Sequence, residues 1–267
     1  MKRPSRVTVD VEATVALAES GLRTLLRSKL VWLALAASAV HIAIRVAMIA
    51  FLAFFAPEEL PFLFNAEFYI STIVLQAIPF IVVGAVVGAG VTARDRMMGG
   101  LEYLLSKALP PWGYVLGRLA PPTAAALALF ALPILIMNLL LIALVSPLPT
   151  DANRIMWGTF AFGLLASFTL GPLSAGLGTL TENPRRAIAL WLGVVWLSSL
   201  TGPFADEMGV DWWWAFSPLL TVEELGRTFA GARFGSLDGE WFAWVLCILF
   251  ALLPMAALWY RTREVVR

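Results

Sequence analysis

The chain has 267 residues, 60% of them hydrophobic and only 14% charged. Soluble domains run nearer half apolar and a quarter charged, so this composition, with a mean hydropathy of +0.83, excludes an ordinary soluble domain and indicates an integral membrane protein. The single cysteine, Cys247, excludes an intrachain disulfide, and a formal net charge of +1 says nothing about partners.

Residues 1–29 are polar and basic, with Lys2, Arg3, Arg6, Arg23, Arg27 and Lys29. Val11, Val15, Ala18, Leu22, Leu25 and Leu26 recur at steps of three or four, the pattern of an amphipathic helix. Glu19 precedes Arg23 by four, the favourable order for a helix-surface pair. This segment reads as an interfacial helix on the cytoplasmic side, with a solvated N-terminal helix as the plainer alternative. No cleavable signal is expected, because acids follow the basic start and the first apolar run is too long.

Six apolar runs come next, at about 30–55, 68–91, 115–146, 155–180, 187–204 and 241–260, each to be judged against the ~20 residues of a spanning helix. The fifth is short and is expected to be bent or incomplete. Pro121, Pro122 and Pro133 are expected to kink the third, and Pro79 and Pro172 the second and fourth. With the N-terminus inside, cytoplasmic segments carry fifteen Lys/Arg and outer segments three. That bias places both termini in the cytoplasm. The sequence thus predicts an all-α, multi-pass protein: an N-terminal helix over 1–29 and one transmembrane domain over 30–267.

Between the second and third runs lies a polar stretch, RDRMMGGLEYLLSKALPPWGYVLGRL, starting at Arg94. Leu101, Leu104, Leu105 and Ala108 form one apolar face, with Glu102, Ser106 and Lys107 away from it. Gly99 and Gly100 loosen its start, and Pro110 and Pro111 stop it. A short helix lying flat at the cytoplasmic surface is expected, with Glu102 at the favourable end of its dipole. In the outer segment 205–240, Trp212, Trp213 and Trp214 mark a membrane interface. Thr221 to Glu224 reads as a capping box opening a short helix, which Gly231 closes.

Four polar groups fall inside spans. His41 and Arg45 share a face of the first span, and at 1.5 Å per residue Arg45 lies ~22 Å from its inner end, inside a ~30 Å core. An intramembrane arginine implies a substrate path or an interface; the alternative is snorkelling outward to meet Glu59 or Glu67. Gln76 and Asn138 are path candidates or helix-stitching groups. Gly84/Gly88 and Ser174/Gly178 are small-residue seams for close helix packing.

The interfacial helix, the six spans and the first cytoplasmic loop resemble the membrane subunit of type-2 ATP-binding-cassette transporters. Arg94, Asp95 and Arg96 stand for that family's charged run. Gly100, Glu102, Leu104, Leu105 and Ser106 fit its glycine, glutamate and leucines, and Trp112, Tyr114, Gly117 and Arg118 fit its aromatic exit. Phe216 to Leu219, FSPL, fits its Ser-Pro after the fifth span. Ala108 and Pro111 depart from the pattern, standing where the family often has proline and arginine. The resemblance implies a coupling helix that docks on a separate ATPase subunit through Arg94, Asp95, Arg96, Gly99, Gly100, Glu102, Leu105 and Ser106. Glu182, Arg185 and Arg186 in the next cytoplasmic loop would make a second contact. It implies two ATPase subunits carrying ATP and Mg, a second permease copy, identical or not, and a location in a prokaryotic cytoplasmic membrane.

This chain has no phosphate-cradling Gly-Lys-Ser/Thr loop, so no cofactor is expected in it. No nucleic acid partner is expected beside membrane lipids. Two other readings compete. Glu223, Glu224 and Arg227 resemble the paired-glutamate motif of membrane-embedded prenyl-protein proteases, but the spacing is one residue short and His41 is the sole histidine. One His and one Cys cannot supply the ligands of a metal site, and no catalytic residue is identified. A non-transporting membrane scaffold or anchor is the second alternative.

Overall fold

The computed structural model describes residues 6–106, 109–145, 148, 151–200, 213–231 and 237–266, and these form helices joined by short turns, with no strand among them. Helix α1 spans Arg6–Arg27 and α2 Lys29–Phe55. After a 3₁₀ segment, Pro57–Phe64, comes α3, Ala66–Met97. A short helix α4, Gly100–Ser106, leads to α5, Pro111–Leu144, and α6, Ala152–Leu180. Helix α7 covers residues 184–200, α8 is Pro218–Phe229 and α9 is Leu237–Val266. Five of these, α2, α3, α5, α6 and α9, are long and apolar enough to cross a membrane. The fifth expected run appears as α7, which at residue 200 is still short of the ~20 residues needed; residues 201–212 lie outside the described set.

Local chemistry sets the boundaries. Ser28 separates α1 from α2 by capping α2, its hydroxyl accepting from the Val31 amide. Asn65 caps α3 and Asn183 caps α7 in the same way. Pro111 occupies the first turn of α5, where a missing N–H costs nothing, so the third span begins four residues before its expected start. The same effect corrects the outer helix. Its N-cap is Ser217 with Pro218 at the first turn, not Thr221; Thr221 is buried one turn in and donates to the Ser217 carbonyl.

Three helices contain a widened π turn: Gly84–Ala89 in α3, Leu127–Ala131 in α5 and Leu192–Leu197 in α7. In α5 the Leu132 amide reaches back five residues to the Leu127 carbonyl. Pro133 comes directly after, and the widened turn relieves the clash its ring makes with the preceding turn. Pro172, by contrast, sits in α6 without any change of helix type.

Helix α6 is central. It packs on α3, α5, α8 and α9. The two small-residue seams meet each other here: a Cβ on Gly88 would lie 2.6 Å from the Ser174 Cβ, and one on Gly178 would lie 2.6 Å from the Ala89 carbonyl oxygen. Trp191 of α7, fully buried, lies against Gly84 and donates its indole N–H to the Ile81 carbonyl at 2.7 Å. A backbone carbonyl beside a π turn thereby gains a partner in a region where water cannot supply one.

At the periphery, the membrane-length stretch of α2 is 11% buried, against 67% for those of α3 and α6. Helix α1 lies along the start of α5, with Leu17, Gly21 and Leu25 facing it. Of the stripe read from the sequence, Leu25 is buried and Ala18 half-buried, while Val11, Val15, Leu22 and Leu26 are exposed beside that contact face. Glu12, Glu19, Arg23 and Arg27 lie on the opposite side, an arrangement that fits an interfacial helix.

Candidate functional site

The end of the bundle where α3 finishes gathers the polar loops. Asp95, in the last turn of α3, meets Arg118 of α5 in a two-pronged ion pair, with Arg118 Nη2 donating to Asp95 Oδ1 at 2.8 Å and Nε to Oδ2. Tyr114 donates its hydroxyl proton to Asp95 Oδ2 at 3.0 Å. The Arg118 side chain is 8% exposed and that of Asp95 15%, so the pair is removed from water. Next to it, Arg96 donates to the Thr179 carbonyl and to Glu182 Oε1 at 3.0 Å, which ties α3 to the turn between α6 and α7.

Gly99 then reverses the chain in a left-handed conformation, φ +65°, that only glycine adopts cheaply. Helix α4 begins next, as the sequence predicts, with Glu102 in its first turn. Leu104 turns inward among Met255, Leu258, Trp259 and Tyr114, so α4 rests on the end of α9. Lys107, Ala108 and the side chains of Leu101, Leu105 and Ser106 lie outside the described residues.

The residues expected to form the docking contact therefore divide. Arg94, Glu102, Arg185 and Arg186 are exposed, together with Met97, Met98 and Tyr103, which the sequence pattern does not single out. Asp95 and Arg96 hold the loop to the bundle. Glu182 does both, being exposed and paired with Arg96. In the sequence Tyr114 and Arg118 stand out only as parts of a motif; complementary charge across the loop is the signal for their pairing.

The four intramembrane polar groups also divide. His41, Arg45 and Gln76 come together between α2 and α3, joined by Ser71. Arg45 Nη2 donates to Ser71 Oγ at 3.1 Å, its Nε lies 3.4 Å from His41 Nε2, and its guanidinium sits 4.6 Å from the Phe68 ring centre. The Gln76 amide lies 3.1 Å from His41 Nδ1. A neutral imidazole has one acceptor nitrogen; with Nε2 accepting from Arg45, Nδ1–H donates to the Gln76 amide oxygen, which is otherwise buried without a partner. Asn138 lies elsewhere and stitches α5 to α6 through the Met156 carbonyl at 2.7 Å.

Of the two acids named in the snorkelling alternative for Arg45, Glu67 is paired instead with Arg227 of α8, which also takes Glu223 at 3.0 Å. Burial works against the Arg227 cation, but Glu223 and Glu67 outweigh it and raise its pKa. Glu223 is thus engaged in an ion pair, which removes support from the paired-glutamate protease reading. Among the described residues no group of His, Cys, Asp and Glu could hold a metal ion. Compared with known proteins, the chain matches no family model and no curated sequence.

Proposed function

We propose that the chain is the membrane subunit of an ATP-driven transporter of the type-2 ATP-binding-cassette kind, an exporter working by alternating access. Residues 94–106 form the lever through which a separate ATPase acts. One observation carries this reading: the loop is open on its outer side and anchored on its inner side to several helices at once. Arg94, Met97, Met98, Glu102 and Tyr103 offer a mixed apolar and charged surface. Behind it, Asp95 holds α5, Arg96 holds the α6–α7 turn and Leu104 rests on α9. A push on such a loop is transmitted to the bundle rather than absorbed by the loop.

In this reading two permease copies, identical or not, work with two ATPases, which hold the ATP and Mg. The termini and the loop face the cytoplasm, and the membrane is a prokaryotic cytoplasmic membrane. Nucleotide binding shifts the inward–outward equilibrium only as far as the ATPase holds the two loop positions differently. Paired charge reversal, Arg94→Glu with Glu102→Arg, tests the reading. Loss of ATPase co-purification and of transport-coupled ATP turnover is expected, with the permease still folded; retention of both would contradict it.

A further inference from the structure

Two adjoining grooves open beside the α6–α7 turn. The first, of about 480 Å³, is lined by Arg96, Arg186 and Arg261 with Glu182 as its one carboxylate, and by Thr181 and Asn183. The second, of about 590 Å³, is apolar and climbs α7 past Ala189, Leu190, Gly193 and Val194. The grooves share Leu180, Thr181 and Arg186, so they are continuous. Arg96 is paired with Glu182 and Arg261 with Glu264, while Arg186 forms no ion pair among the described residues. At Gly193 an added Cβ would meet nothing within 4 Å, so the floor of the apolar groove is open there.

We infer that this double groove is a binding site for an anionic phospholipid. The phosphate lies against Arg186 and Arg261, and an acyl chain runs along the exposed face of α7. The charge complementarity argues for an anionic headgroup, since Arg186 stands without an ion pair among the described residues beside Arg261, whose pair with Glu264 is exposed. The apolar continuation argues for a lipid over a soluble anion, because a free phosphate has no use for it. Residues 186, 189, 190, 193 and 194 succeed one another at helical spacing, so head and chain bind in register along one element. Basic pockets between helices at a cytoplasmic surface favour acidic headgroups for the same reason. The site shares Glu182 and Arg186 with the second ATPase contact that the family resemblance implies, and it requires that this end of the bundle meets a lipid leaflet.

The test is native mass spectrometry of the full chain titrated with dioleoyl phosphatidylglycerol, dioleoyl phosphatidylcholine or glycerol 3-phosphate. Phosphatidylglycerol should be retained about twenty-fivefold over phosphatidylcholine, as two cationic contacts of about fivefold each imply, and glycerol 3-phosphate not at all. Arg186→Gln should reduce phosphatidylglycerol retention about fivefold while Arg186→Lys keeps most of it. Gly193→Leu, whose Cβ meets nothing within 4 Å and whose longer side chain enters the apolar groove, should reduce it as well. Equal retention of the two lipids overturns the site. So does wild-type retention in either Arg186→Gln or Gly193→Leu, the first removing the headgroup contact and the second the acyl contact. If Arg186→Gln instead lost only a co-purifying ATPase and kept the lipid, the groove would belong to the protein partner. Both substitutions fall at positions with room, and unchanged melting in detergent checks that the variants fold.

Discussion

Two polar clusters built from arginine behave differently in this molecule. At the basic end, Arg118 is 8% exposed and doubly bonded to Asp95, with Tyr114 on the same carboxylate. Between α2 and α3, Arg45 is half-buried and reaches only a hydroxyl, a shared imidazole and a ring face. The first joins helices that the core already fixes. The second borders α2, the least buried of the long helices. A saturated ion pair between packed elements holds geometry. An under-satisfied cation on a lightly held helix is expensive to keep in a membrane and points to use.

The largest effect should come from breaking the saturated cluster. Arg118→Leu leaves Asp95 buried without its counter-ion, a loss of about 3–5 kcal/mol. It should show as poor recovery and a lowered melting temperature in detergent. Asp95→Leu added to Arg118→Leu should restore much of the stability, since neither charge is then stranded. A smaller loss is expected at the seam on which that cluster stands. Gly88→Leu drives a side chain into Ser174 and should cost about 1–3 kcal/mol by overpacking. Trp191→Phe keeps the ring against Gly84 and removes one donor; the Ile81 carbonyl keeps the Gly84 amide, so about 1 kcal/mol should be lost in the same melting assay.

Arg45→Leu sharpens the contrast from the other side. It deletes weak bonds and an intramembrane charge together, so melting should change by less than about 1 kcal/mol. Transport in reconstituted vesicles should fall nonetheless. A full loss of folding in Arg45→Leu, or none in Arg118→Leu, would erase the distinction.

The long helices are legible because bilayer thickness demands uninterrupted apolar runs, and those runs stand out in the sequence. Their starts are less so: Pro111 and Pro218 move two helix starts toward the N-terminus, because proline is at home in a first turn. The small-residue seams are visible as patterns, but nothing in Gly84/Gly88 says that Ser174/Gly178 is the partner. Asp95 and Arg118 are 23 residues apart across a turn and the short helix α4, so only the folded loop brings them together. For Arg45 the sequence leaves an inward role and an outward reach to Glu59 or Glu67 both open; in the fold it meets Ser71, one turn deeper than Glu67 on the same face of α3, and Glu67 is held by Arg227. The proposed docking surface is partly legible. Charge marks Arg94 and Glu102, while the exposed Met97 and Met98 look like the end of a span.

The central claim is that the outer side of residues 94–106 meets an ATP-hydrolysing protein. The most direct measurement is photocrosslinking in native membranes from a reactive residue at the exposed position 98, with one at position 241, on the exposed Trp241 at the far end of α9, as control. Position 98 should capture a protein carrying a phosphate-binding Gly-Lys-Ser/Thr loop, and position 241 should not. Capture of no such protein from position 98, or equal capture from both, would contradict that claim.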